Sequence, residues 1–134
     1  MKRIYLDHAA TSPMIPEVTR VITEAMELYI GNPSSIHSEG RTARAKIEES
    51  RKKIARLLNA SIGEIFFTSG GTEANNTAIK CAVRDLQIQR IISTAIEHHA
   101  VLHSIEAMRR DFKVDIVYLP LDNQGRISLN DLKD

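Results

Sequence analysis

The sequence has one cysteine, few aromatic residues and no long apolar run. Cys81 is the only cysteine among 134 residues, so no disulfide can form within the chain; this predicts a reducing compartment, the cytoplasm. No apolar run could cross a bilayer and no charged leader precedes one, so we expect neither a membrane partner nor a cleaved leader. The net charge of +1, without a basic block and interleaved aromatics, predicts no nucleic-acid partner.

The hydrophobic content of 43% and the length predict one compact unit, and the periodicity predicts its elements. Helices are predicted over residues 16–30, 41–58, 72–84 and 100–112, and strands over 64–68, 90–94 and 114–119. Residues 4–6 are predicted to be extended, and Asn59 is predicted to end the second helix in a left-handed conformation. The first two helices are predicted to bury one face each, through Val18, Val21, Ile22, Ala25 and Tyr29 in the first and Ala43, Ile47, Ile54 and Leu58 in the second. Alternation of strand and helix from residue 64 onward predicts an α/β fold with a parallel sheet.

The stretch from residue 64 to residue 76 reads as a strand that runs through two glycines into a helix. Gly70 and Gly71 would let backbone N–H groups approach a ligand, and the helix start offers unpaired N–H groups and roughly half a positive charge. Ser69 and Thr72 add hydroxyl groups, so a phosphate is the expected ligand. The alternative is an ordinary turn in which the glycines supply positive φ and Thr72 is the N-cap.

A second polar loop, Glu97-His98-His99, follows the next strand. His99 and His103 are four residues apart and could share a metal, but zinc needs a third ligand and no HExxH motif occurs, so no metal site is predicted. Loops that follow parallel strands share one sheet edge, so the glycine loop and the histidine loop would lie together. A flat, phosphorylated ring compound could contact both loops, with its phosphate at the glycine loop and its ring beside the histidine loop, and pyridoxal phosphate fits that description.

Four motifs resemble, in the same order, the N-terminal part of the cysteine desulfurases. They are residues 5–11 (YLDHAAT), 31–37 (GNPSSIH), 67–76 (FTSGGTEANN) and 97–101 (EHHAV). The resemblance implies the large domain of a pyridoxal-phosphate-dependent transferase of the aspartate aminotransferase type (fold type I, class V). It also implies a homodimer that takes sulfur from L-cysteine, leaves L-alanine, and passes an enzyme persulfide to a sulfur-acceptor protein for iron–sulfur cluster or thio-cofactor assembly.

The resemblance assigns roles by motif. Gly70, Gly71 and Thr72 would bind the cofactor phosphate, and His98 would stack on the pyridine ring and carry a proton. The loops at 7–11 and 32–37 would lie near the substrate mouth or a dimer contact. Residues 1–15 would belong to the small domain and residues 16–134 to an incomplete large cofactor-binding domain.

The family's cofactor-bound lysine, its pyridine-nitrogen aspartate and its persulfide cysteine have no counterpart in these motifs. Cys81 lies at a position predicted to be buried in the core rather than nucleophilic. A helix start at 128–131 without a continuation predicts a fragment of a longer polypeptide, inactive by itself. Two alternatives stay open: another class V enzyme, such as a selenocysteine lyase or an aminotransferase, and a non-catalytic phosphate- or partner-binding module.

Overall fold

The structure is a computed structural model that describes residues 4–132. The described part contains, in order, α1 (Pro16–Leu28), α2 (Ser38–Leu57), a 3₁₀ turn (Ile62–Glu64), α3 (Gly71–Arg84), β1 (Arg90–Thr94), α4 (His99–Phe112) and β2 (Asp115–Leu119). Close approaches between Cα atoms divide the chain into two compact units, one ending at Phe66 and the other beginning at Phe67. The prediction of a single unit is therefore wrong, because nearly all of the packing between elements is local to one half of the chain.

The second unit is an α/β arrangement around two parallel strands. β1 pairs with β2 in parallel, from Arg90 opposite Asp115 to Thr94 opposite Leu119. Helices α3 and α4 pack against each other, and their buried contact is a cluster of Val83, Met108 and Val114, with Ile79, Ile91 and Ala107 against it. These residues come from the C-terminal halves of both helices and from the beginnings of both strands. The helix N-termini therefore point toward the opposite end of the unit, where the strands finish, as the predicted shared edge requires.

The strand predicted over residues 64–68 does not form. Glu64 instead closes the 3₁₀ turn, where its carboxylate accepts a hydrogen bond from the Ser61 N–H at 2.6 Å. Residues 65–68 form no strand. An extended segment becomes a strand only through ladder hydrogen bonds with another segment, and within residues 4–132 the sheet consists of β1 and β2.

The helices lie close to their predicted positions. α3 and α4 each begin one residue earlier than predicted, and α1 ends two residues earlier, at Leu28. α2 begins three residues early because His37 caps it, with Nδ1 accepting the Gly40 N–H at 3.3 Å. The left-handed conformation predicted for Asn59 after α2 is confirmed by its φ of 51°.

The predicted buried face of α1 is wrong. No residue of α1 is buried, and Val18, Val21 and Ile22 are each 42–53% exposed. On α2, Ala43 is buried as predicted, whereas Leu58 is 67% exposed. Apolar spacing reports which side chains share a face, but burial needs a second element on that face, and none of the described elements packs closely on α1.

The ends of the described chain contain turns. Residues 4–6, predicted to be extended, form no strand. Asp122 begins a turn closed by an isolated bridge between Leu121 and Ile127, and Gly125 occupies it at a φ of 76°. The helix start predicted at 128–131 is a turn in the described residues. None of the helices within residues 4–132 is both long and apolar enough to span a membrane.

Candidate functional site

The N-terminus of α3 presents unpaired backbone donors. The first intrahelical bond runs from the Ala74 N–H to the Gly70 carbonyl at 3.1 Å, so the N–H groups of Gly71, Thr72 and Glu73 precede the helical ladder. Such groups, together with the helix dipole, attract anions. The Thr72 hydroxyl lies on the same turn and makes no hydrogen bond within the described part of the chain. One helix start therefore offers several donors to a single anion.

The two glycines at this helix start leave open space for a ligand. A Cβ added at Gly70 or Gly71 would meet no atom within 4 Å. Gly70 is the N-cap and has a φ of 166°, an extended value that any residue adopts, and Gly125 is the one described glycine with a left-handed φ. The left-handed φ at both glycines and the N-cap at Thr72, which the ordinary-turn alternative predicts, are thus wrong. Neither backbone strain nor crowding requires glycine at these positions, and the open space leaves room for a phosphate, so the site fits that group.

A carboxylate already occupies the donors of Ser69. Glu73 Oε2 accepts both the Ser69 N–H at 2.6 Å and the Ser69 hydroxyl at 2.7 Å. The side-chain hydrogen bond from Ser69, followed by that from its backbone, lowers the pKa of Glu73. Ser69 therefore holds Glu73 rather than adding a free hydroxyl to the anion site, which corrects the expectation from sequence. An acid in the first turn of a helix is a signal that could have identified this contact.

His98 is the N-cap of α4. Its Nδ1 accepts the Ala100 N–H at 3.0 Å, and its carbonyl accepts the N–H groups of Val101 and Leu102. Because Nδ1 receives a proton donor, the proton of the neutral ring lies on Nε2. The ring is thereby held in one orientation while the residue remains exposed. The sequence did not indicate this cap, since histidine is not a usual N-cap residue.

His99 and His103 lie side by side on α4, with ring centres 5.5 Å apart. The ring centre of His99 is 6.3 Å from that of His98. No group of three or more His, Cys, Asp or Glu side chains suited to a metal ion occurs among the described residues. Of the two neighbouring histidines, His98 is the one whose ring is oriented by a hydrogen bond from the backbone.

The two predicted loops lie at the starts of two helices that pack against each other. No hydrogen bond, ion pair or ring contact joins residues 69–73 to residues 97–99, both of which lie in the described part. A groove of about 470 Å³ runs along β1 to the histidine loop, and its wall includes Thr94, Glu97 and Val101. A larger groove of about 820 Å³ lies along the other end of α4, around His103 and Lys113, and contains none of the predicted site residues. Neither groove is lined by Gly70, Gly71, Thr72 or His98, and the smaller one lies at the strand ends, where ligands of open α/β sheets bind.

The position of Cys81 differs from the prediction. The side chain is exposed rather than buried. A hydrogen bond with Asp85 is the main cause that raises the pKa of the Cys81 thiol. A raised pKa leaves less thiolate, so Cys81 is poorly suited to act as a nucleophile, for this reason rather than through burial.

The whole described chain matches a known family. The sequence model described as "Aminotransferase class-V" matches residues 4–134. The chain belongs to the class V aminotransferase family. It is 46% identical to the "Cysteine desulfurase IscS" of Dictyoglomus turgidum over 136 residues, covering 99% of this chain and 34% of the relative.

Solved structures agree with this class V assignment. A "NIFS-LIKE PROTEIN" matches with a TM-score of 0.84 at 32% identity, over 92% of this chain and 34% of that one. A structure titled "SspA in complex with cysteine" matches with a TM-score of 0.81 at 31% identity, over 93% of this chain and 36% of the other. The chain thus has the α/β fold of fold type I enzymes, and it spans about a third of the length of the relatives it matches.

Proposed function

We propose that this chain is the phosphate-binding, N-terminal part of a pyridoxal-phosphate-dependent cysteine desulfurase. The observation that carries the proposal is the open helix start at Gly70, Gly71 and Thr72, placed in a class V chain. The complete enzyme would convert L-cysteine to L-alanine and an enzyme persulfide, and would pass the sulfur to an acceptor protein for iron–sulfur cluster or thio-cofactor assembly. It would act in the cytoplasm as a homodimer.

Phosphate binding is assigned to the α3 N-terminus. The N–H groups of Gly71 and Thr72 and the Thr72 hydroxyl would donate to phosphate oxygens, and Gly70 would leave room for them. Each charge-assisted hydrogen bond contributes about 1.5–3 kcal/mol, so three such bonds anchor a small phosphorylated molecule. Glu73 accepts two hydrogen bonds from Ser69 and thereby fixes the turn before α3. These bonds would keep the Glu73 carboxylate directed at Ser69.

Proton transfer and ring stacking are assigned to His98. Pyridoxal phosphate, when bound, supplies an electron sink for the bonds at the substrate's α-carbon. His98 has its Nδ1 occupied by the Ala100 N–H, so Nε2 is the atom that would give or take a proton. The cap also fixes the plane of the imidazole, which is the condition for stacking on a flat ring.

The loop at 32–37 would lie near the substrate mouth or a dimer contact, as would residues 7–11. The tight packing of the 32–37 loop supports this placement. A Cβ on Gly31 would come within 2.3 Å of the Glu39 backbone, and one on Gly40 within 2.6 Å of the Asn32 carbonyl, so the backbone around the loop is closely packed. Arg44 Nε also donates to the Pro33 carbonyl at 2.7 Å. Residues 1–15 would join the small domain and residues 16–134 the large one.

Two measurements test the proposal. The complete enzyme, given pyridoxal phosphate and L-cysteine, should form equal amounts of L-alanine and transferable sulfur. The chain itself should bind pyridoxal phosphate more tightly than pyridoxal, with inorganic phosphate competing, because the phosphate carries the contacts.

A matched pair of variants controls for folding. Gly71→Val should weaken phosphate-dependent binding about tenfold or more by displacing one or two bonds. Gly63→Val should leave binding unchanged, since a Cβ at Gly63 also meets nothing within 4 Å but lies in the 3₁₀ turn. Equal binding of pyridoxal and its phosphate would rule out the assigned phosphate site.

A further inference from the structure

The two glycines of the proposed phosphate site have little packing around them. A Cβ on Gly70 or Gly71 would meet no atom within 4 Å, and both residues are exposed. Glycine loses more conformational freedom on folding than any other residue, so this pair is the part of the helix start that is hardest to order. A site that its ligand must order binds more weakly than one that is ordered beforehand. Hydrogen bonds from neighbouring residues are therefore needed to order the glycines in advance.

Glu73 links the two sides of the glycine pair. Its Oε2 accepts the Ser69 N–H at 2.6 Å and the Ser69 hydroxyl at 2.7 Å, which joins residues on either side of the pair. The Gly70 carbonyl accepts the Ala74 N–H at 3.1 Å and the Thr68 hydroxyl at 3.1 Å. The peptide group that carries the Ser69 N–H and the one that carries the Gly70 carbonyl are thus both held by hydrogen bonds.

These bonds leave the donors assigned to the phosphate unused. The N–H groups of Gly71 and Thr72 precede the helical ladder, whereas Glu73 is bonded to Ser69. The Glu73 carboxylate is also a negative charge in the first turn of α3, and this charge by itself would repel a phosphate. Geometry and charge therefore predict opposite effects of Glu73 on phosphate binding. The two effects can be separated, because an amide keeps an acceptor oxygen and has no charge.

We propose that Glu73 is a positioning residue for the phosphate site: by holding Ser69, it presets the glycine pair so that the Gly71 and Thr72 N–H groups are presented together. The inference rests on the proposed function, which places the cofactor phosphate at these donors. Its consequence is that selectivity for a phosphorylated ring depends on a carboxylate that makes no bond to the phosphate. Ser69 then acts through Glu73, and its hydroxyl does not donate to the ligand.

Calorimetric titration of the chain with pyridoxine 5′-phosphate and with pyridoxine tests this role. Both probes have an alcohol in place of the aldehyde, so neither forms an adduct with a lysine. The Kd of pyridoxine divided by the Kd of its phosphate is the phosphate preference, and a loss of overall stability affects both probes alike. Glu73→Ala should lower this preference about tenfold, because the phosphate must then order the glycines itself. Glu73→Gln should keep it within about threefold of wild type, because the amide oxygen accepts from Ser69 without repelling the phosphate.

A control and a double-mutant cycle separate positioning from other effects. Glu64 accepts the Ser61 N–H at 2.6 Å in the 3₁₀ turn, which contains no residue assigned to the phosphate. Glu64→Ala should therefore leave the phosphate preference unchanged. Ser69→Ala, which keeps the N–H bond, should lower the preference about threefold in the wild-type chain and change it little in the Glu73→Ala chain. If Glu73→Ala lost the helical circular dichroism of the wild type, Ser69→Ala alone would provide the test.

The possible outcomes differ between the two proposals. A phosphate preference that survives in Glu73→Ala would overturn the positioning role. An equal gain of preference in Glu73→Ala and Glu73→Gln would do so as well, since Glu73 would then act by charge alone. A Ser69→Ala effect of the same size in both backgrounds would show that the Ser69 hydroxyl contacts the phosphate directly, against the proposal. A wild-type chain that binds both probes equally would refute the phosphate site itself, so failure of the proposed function and failure of this inference are distinguishable.

Discussion

Replacement of His98 separates two roles that the structure combines in one side chain. The imidazole caps α4 through Nδ1, 3.0 Å from the Ala100 nitrogen, and its Nε2 is the proposed proton carrier. Alanine removes both functions. Asparagine keeps a capping oxygen at this position but has no ring and no titratable group. The pair of variants therefore divides the structural contribution from the chemical one.

The expected magnitudes differ between the two readouts. Loss of an N-cap costs about 1 kcal/mol. In a unit of the size of residues 67–134, this lowers the Tm by about 4–8 °C. His98→Ala should show that loss, whereas His98→Asn should stay within a few tenths of a kcal/mol of wild type. Ring stacking contributes about 0.5–1.5 kcal/mol, so cofactor affinity should fall about tenfold at most in either variant. Proton transfer contributes about a hundred- to ten-thousand-fold in rate, so kcat should fall by that factor in both.

The assay is thermal unfolding of each variant, with L-alanine production from L-cysteine by the complete enzyme. His99→Ala is the matched control, because His99 is the neighbouring exposed imidazole and does not cap the helix. It should change neither Tm nor kcat appreciably. If His98→Asn turned over L-cysteine at the wild-type rate, His98 would be a cap only and its chemical assignment would be wrong. Equal turnover of the His98 and His99 alanine variants would lead to the same conclusion.

Three further predictions follow from the geometry. Because the pKa of Glu73 is lowered, its bonds to Ser69 stabilise the fold at pH values above the usual pKa range of glutamate, and this stabilisation is lost as the pH falls through the lowered pKa. Glu73→Gln should therefore flatten the acid side of a plot of unfolding free energy against pH. Gly40→Ala should lower the free energy of unfolding by about 1–3 kcal/mol in urea titrations, because its Cβ would lie 2.6 Å from the carbonyl oxygens of Asn32 and Ser35, whereas Gly63→Ala should cost far less. Borohydride treatment of the chain with pyridoxal phosphate should label no single lysine stoichiometrically, since none lies in a motif that would activate it, and peptide mapping that found one such lysine would refute this.

Local signals were sufficient for most of the regular elements. The strand at 90–94 was predicted with its observed bounds as part of the alternating series of strands and helices, and the glycine pair predicted the start of α3 to within one residue. Asn59 was predicted to be left-handed because a short amide tolerates that conformation after a helix. The same local chemistry identified Gly71, Thr72 and His98 at helix starts, although their binding roles stay predictions. Each of these features depends on a few consecutive residues, so the sequence by itself determined them.

Only the tertiary structure decided which apolar faces are covered and which extended segments are strands. Val18 and Ile22 share a face by spacing, yet they are exposed because no described element lies against them. Residues 65–68 have the composition of a strand but are not part of the sheet in the described residues. The hydrogen bonds from Ser69 to Glu73 and from Ala100 to His98 likewise depend on how the chain bends before a helix. Burial and strand pairing are properties of two segments together, and a single segment's sequence specifies only one side of each.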